Sequence, residues 1–120
     1  MKNLLIYLSV VSSSFAGLAF TAEARSPYDG SWDLVFATQR GTCDATYNFS
    51  VNINDGIITH PNLVKFKGNV TPSGAVRASV TVQDKFASGT GKLSGNSGRG
   101  TWSGYSGTAR CSGLWTAKRT

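Results

Sequence analysis

The stretch Cys43-Asp44-Ala45-Thr46-Tyr47-Asn48-Phe49-Ser50-Val51-Asn52-Ile53 decides the fold. Cys43, Ala45, Tyr47, Phe49, Val51 and Ile53 alternate with Asp44, Thr46, Asn48, Ser50 and Asn52. A period of two places the apolar set on one face of a strand and the polar set on the other. Asn54-Asp55-Gly56 follows, and Asp-Gly tolerates the positive φ of a tight hairpin turn. Ile57 to His60 then returns as a short strand, stopped by Pro61-Asn62.

The same pattern extends both ways. Upstream, Trp32, Leu34 and Phe36 share one face of a first strand that ends at Gln39-Arg40-Gly41-Thr42. Downstream, Val64, Phe66, Gly68 and Val70 point inward, and Pro72-Ser73-Gly74 suits a turn with glycine in the left-handed position. Val76, Ala78, Val80 and Val82 come back on the inner face, which sets Phe66 opposite Val80 and Lys67 opposite Ser79. Gln83-Asp84-Lys85 makes the next turn.

Residues 89 to 113 hold eight glycines and could be read as a flexible tail. Strands fit better, because a large residue follows glycine at a fixed offset in Gly91-Lys92-Leu93, Gly100-Thr101-Trp102 and Gly113-Leu114-Trp115, as in Gly30-Ser31-Trp32. Glycine and a bulky side chain then share a face, and the glycines leave room for rings from neighbouring strands. The reading is an all-β domain of about eight short antiparallel strands in a meander, closed into a small barrel that hides its edges. A two-sheet sandwich is the alternative. Trp32, Trp102 and Trp115 belong to its core, while Tyr28 and Tyr105 are candidate contact residues.

The 120-residue chain has room for one domain. Its first 24 residues read as a signal peptide: a positive start at Lys2, an uncharged, largely apolar run from Leu4 to Phe20, and Ala22-Glu23-Ala24 at the cleavage site. The serines in the run and the Ala-Glu-Ala argue against an uncleaved membrane anchor. Residues 25–120 form the mature domain, secreted or periplasmic. In such a compartment Cys43 and Cys111 form one disulfide, closing a long loop and contributing about 4 kcal/mol.

Several function classes find no support. The chain has no phosphate loop, dinucleotide fingerprint or nucleophile elbow, which leaves no cofactor to expect. Two cysteines and one histidine are too few for a structural zinc site, and no metal is expected. His60 is the one side chain suited to proton transfer near neutral pH, and no carboxylate or nucleophile accompanies it in sequence. No catalytic residue is assigned, and the domain is read as non-enzymatic. The charge is +6, from 12 Lys+Arg against 6 Asp+Glu. Lys65, Lys67, Arg77, Lys92 and Arg99 fall on outward phases of neighbouring strands. They are the candidate anion-binding residues, for an anionic polysaccharide, lipopolysaccharide or a membrane surface. No motif for specific nucleic-acid recognition accompanies them.

The segments Tyr28-Asp29-Gly30-Ser31-Trp32, Gly41-Thr42-Cys43-Asp44, Leu93 to Gly104 and Cys111 to Ala117 resemble a group of small exported proteins of Gram-negative bacteria. That likeness implies a secreted β-protein and no particular chemistry. The Gly-x-Trp start and early Cys are also similar to the periplasmic inhibitors of secreted metalloproteases, which are eight-stranded barrels. That likeness implies an inhibitory N-terminal segment, here Arg25, Ser26, Pro27, Tyr28 and Asp29, with a secreted protease as partner. The chain departs from those inhibitors in its bridge: theirs closes a short early loop, whereas the second Cys here is Cys111.

The expected outcome is an exported chain that starts at Arg25 and carries one internal bridge. Mass spectrometry of material exported by the native host should find that N-terminus and a mass two hydrogens below the reduced chain. Free thiols at Cys43 and Cys111 would refute the bridge.

Overall fold

The computed structural model describes residues 26–62 and 65–120. The proposed signal peptide, Arg25 and Val64, expected on an inner face, lie outside the described residues. Eight antiparallel strands follow one another in chain order: β1 (Gly30–Arg40), β2 (Thr46–Asn54), β3 (Ile57–Thr59), β4 (Phe66–Val70), β5 (Ala75–Val82), β6 (Lys85–Ser94), β7 (Ser97–Ser106) and β8 (Ala109–Arg119). Each pairs with the next, and β8 returns to β1, so the sheet is a closed up-and-down barrel and not a sandwich. Closure pairs every strand on both sides, although the three-residue β3 reaches only Asn52 to Asn54 of β2 and Gly68 and Asn69 of β4.

The register agrees with the alternation. Phe66 sits opposite Val80 and Lys67 opposite Ser79. The glycine-rich stretch is fully paired, with Lys85–Ser94 against Ser97–Ser106 and the latter against Ala109–Lys118. Local chemistry sets the turns: Asp55 and Gly56 both adopt positive φ between β2 and β3, as the Asp-Gly pair predicts. Several boundaries differ from the sequence reading: β1 runs on through Gln39 and Arg40, and β3 stops at Thr59, before His60. Cys43 lies in the connection before β2, because the paired strand begins only at Thr46. The β5–β6 turn is Gln83-Asp84, with Gln83 at φ 56°, and Lys85 already belongs to β6.

Cys43 and Cys111 form the disulfide, with Cα atoms 6.1 Å apart and 68 positions apart in sequence. It ties the β1–β2 connection to the last strand, beside the seam where β1 and β8 meet.

The inner face explains the glycines. Trp115 stands directly opposite Gly100, and Gly100 opposite Gly91. The indole spreads over both: a Cβ on Gly100 would lie 2.6 Å from the ring, and one on Gly91 2.5 Å. Its Nε1 donates to the carbonyl of Thr90 at 3.1 Å. Trp102 is flanked by Gly89 on one side and Gly113 on the other, and its Nε1 reaches the Ala37 carbonyl at 3.0 Å. The three tryptophans are 1%, 6% and 3% exposed, so they are core residues and not a stacking platform.

The barrel is filled unevenly. Trp32, Val51, Ile53, Ile58, Val70, Leu93, Trp115 and Ala117 are buried towards the end where the chain enters at Ser26. Towards the other end Phe36, Tyr47, Phe49, Val80 and Ala87 are only half-buried. These are the closed and the open end.

Gly100→Ala should destabilise the protein by about 1–3 kcal/mol, since the new methyl has no space beside Trp115. Gly95 tests the contrast: it is a left-handed turn residue with nothing within 4 Å of a Cβ. Gly95→Asn should therefore change stability by less than about 0.5 kcal/mol. Urea unfolding of the two variants measures the difference, and equal stability would remove Trp115 from the glycines.

Candidate functional site

The five basic residues singled out from the sequence all lie exposed on one outer wall. Lys65 immediately precedes β4, and its carbonyl accepts from Thr81 of β5. Lys67 on β4 is level with Ser79, and Arg77 on β5 with Asn69. Arg77 faces Thr90 on β6, two residues from Lys92, and Lys92 stands directly opposite Arg99 on β7. The residues therefore descend diagonally across four adjoining strands, from near the open end to near the closed end. Diagonal neighbours on a sheet face are about 7–8 Å apart, within reach of long side chains.

No carboxylate occupies these four strands. Asp33 is on β1, where it accepts from the Ser50 hydroxyl at 2.9 Å. Asp29 accepts from the backbone N–H groups of Asp55 and Gly56 at the closed end. Asp84 lies in the β5–β6 turn, 3.8 Å from the Lys85 ammonium. Among the described residues none of Lys67, Arg77, Lys92 and Arg99 has an ion-pair partner. Lys92 and Arg99 repel each other across the ladder, which costs stability and brings no internal gain.

Beside the stripe runs an outward trough of 610 Å³. Lys67 and Arg77 border it, and Ser79, Ser88, Thr101 and Ser103 line it. Ser79, Ser88, Ser103 and Ser112 are consecutive cross-strand partners, forming a row of hydroxyls over β5 to β8. Behind the trough the inner face carries Gly68, Ala78 and Gly89. Residues that small do not prop the wall away from the barrel axis. Reading the chain alone misses the hydroxyl row, because it depends on the β6–β7–β8 register, which glycine-rich strands specify weakly.

The other candidates sit apart from this wall. His60 follows β3, with its ring edge-on to Phe49 at 6.1 Å and 6.4 Å from Phe66. Its Nδ1 accepts from the Asn62 N–H at 3.0 Å, a local packing role. Tyr105 is exposed on β7, stacked on Phe86 at 5.7 Å. Tyr28 is half-buried against Trp32, so it is less available for contact than its sequence position suggests.

Of the segment Arg25 to Asp29, the described residues Ser26 to Asp29 fold over the closed end. The Tyr28 carbonyl accepts from Trp32 Nε1 at 2.9 Å. The Arg119 guanidinium covers the Trp32 ring at 4.8 Å and donates to the carbonyls of Asp29, Pro27 and Gly95 and to Asn96 Oδ1. Arg119 thus seals this end of the core as a cation–π lid. Arg119→Ala should cost about 2 kcal/mol and raise hydrogen exchange at Tyr28 and Asp29, with the open-end amides unchanged. Unaltered exchange at both would show that the segment is held by other contacts.

Comparison with protein-family models, with curated proteins and with solved structures finds no match to the chain.

Proposed function

We propose that the protein is an exported, non-enzymatic binding domain that holds an anionic polysaccharide, lipopolysaccharide included, on the outer wall of β4 to β7. One observation carries the reading. Lys67, Arg77, Lys92 and Arg99 form a stripe with no internal counter-charge, including one like-charge pair placed face to face. Unpaired positive charge held at a cost in stability is relieved by an anion from outside. The hydroxyl-lined trough supports a sugar polymer over a bilayer, because serine and threonine offer both donors and acceptors to sugar hydroxyls. The exposed apolar residues Val35, Ile57, Leu114 and Val82 lie off this wall, and Tyr105 sits at its open-end margin stacked on Phe86, so the stretch that carries Lys67, Arg77, Lys92 and Arg99 offers little to insert into lipid. The signal-like first 24 residues and the disulfide support an oxidising compartment outside the cytoplasm.

Inhibition of a secreted protease has less support. The carbonyls of Pro27, Tyr28 and Asp29 already accept hydrogen bonds from Arg119 and Trp32, and a segment bound along a protease cleft would need them. Loss of a measured protease inhibition on deleting residues 25–29 would favour that reading instead.

The oxidised protein should be retained at low salt on acidic polysaccharide and lipopolysaccharide more strongly than on anionic liposomes, and released as ionic strength approaches the physiological. Reversing Lys67 and Arg77 to Glu should weaken retention at least tenfold, at about 1 kcal/mol per charge, with little change in Tm. No retention at low salt on any of these matrices would refute the proposal.

A further inference from the structure

The unevenly filled interior points to a second site. At the open end a cavity of 330 Å³ lies among Phe36, Tyr47, Phe49, Val80, Val82 and Trp102, with Lys85 in its lining. Its surface is almost wholly apolar. The volume is about twice that of a ~150 Å³ apolar cavity that takes up a benzene ring, and it falls at the small end of ligand pockets. Below it a narrower apolar void of 50 Å³ continues towards the closed end. The two share Phe36, Val80 and Ala87, which makes them a mouth and a neck on one axis. A mouth that narrows into a neck suits a linear tail better than a compact ring.

The opening is a built feature. The disulfide and Gly41, at φ +95° against Cys111, fix the β1–β2 connection on one side. On another side the Gly107 N–H donates to the Asp84 carbonyl at 3.0 Å, joining the β5–β6 and β7–β8 turns. Two large apolar side chains stay in contact with solvent there, Val82 at 39% and Tyr105 at 41%. The one cation of the lining, Lys85, occupies an inward-phase position at the mouth, where its exposed ammonium is shared with the Asp84 carboxylate.

We infer that the open end binds a single-chain amphiphile with an acidic headgroup, its tail in the mouth and neck and its head beside Lys85. The tail replaces water in a space that offers water almost no hydrogen bonds. The head adds an anion next to the cation of the rim. Its lining shares only Trp102 with that of the outer trough and includes neither Lys67 nor Arg77.

Methyl NMR of the oxidised protein titrated with decanoate, kept below its micellar concentration, tests the inference. Methyls of Val80, Val82 and Ala87 should shift saturably, while those of Val70, Ile57 and Leu114, which line neither the mouth nor the neck, stay put. Val82→Asp should abolish the shifts without unfolding, since its side chain is already part-exposed. Lys85→Glu should weaken decanoate roughly two- to fivefold, the size of an exposed charge pair. The Lys67 and Arg77 reversal should leave decanoate binding unchanged. No saturable shift up to millimolar decanoate would overturn the site. Equal binding of decyltrimethylammonium would overturn the acidic headgroup. Loss of decanoate binding on reversing Lys67 and Arg77 would place the ligand on the outer wall and overturn the axial site.

Discussion

The seam between β1 and β8 is the constraint on which the rest depends. Trp32 to Arg40 pairs with Arg119 to Ser112, bringing the two ends of the domain side by side. That pairing turns eight strands into a barrel, and without it both terminal strands would be open edges. It is also the most entropically expensive contact in the fold, because nearly the whole chain must be looped to make it. Three features reinforce it. The disulfide joins the β1–β2 connection to β8. Trp102 crosses from β7 over Gly113 to the Ala37 carbonyl on β1. Arg119, at the end of β8, holds the segment that leads into β1. A register shift between Thr38 and Arg40 lets the strand bend where the bridge approaches.

Closure alone does not fill a barrel of this size. Large side chains have to reach across the axis, and the glycines of β6, β7 and β8 give them the room. Trp115 lies over Gly91 and Gly100, and Trp102 lies between Gly89 and Gly113. Trp32, Trp115, Leu93 and the valine and isoleucine side chains complete the closed half. In the open half the inner residues of β5 and β6 are Val80, Val82 and Ala87, which are too short to meet Phe36 and Tyr47 across the mouth. The apolar cavity is the remainder.

Charge is segregated around the same barrel. Among the described residues the carboxylates belong to β1, to the connections and to the turns, whereas every charged group on the outer faces of β4 to β7 is a cation. The ion pair of Lys85 with Asp84 is exposed at a turn and contributes little to holding the fold. The fold is carried by backbone pairing and the tryptophan core, which leaves the outer wall free to present positive charge.

Much of this was determined by local sequence. Alternation in Tyr47 to Ile53 and in Val76 to Val82 specifies strands with a known inner face, because side chains on a strand switch sides at every residue. Short turns with demanding φ values, as at Asp55-Gly56, specify hairpins. Together they sufficed for the meander, the Phe66–Val80 register, the inward tryptophans and the outward Lys67 and Arg77. Tertiary structure decided what depends on several strands at once. The glycines of β6 and β7 carry no side chains to signal a register, so the pairing of Lys92 with Arg99 and the row from Ser79 to Ser112 arise only when the strands are laid together. The docking of Tyr28 requires Trp32 and Arg119, which are separated by almost the entire domain. The mouth, likewise, is a difference between the circumference that eight strands enclose and the volume their inner side chains fill, and no single segment contains that difference.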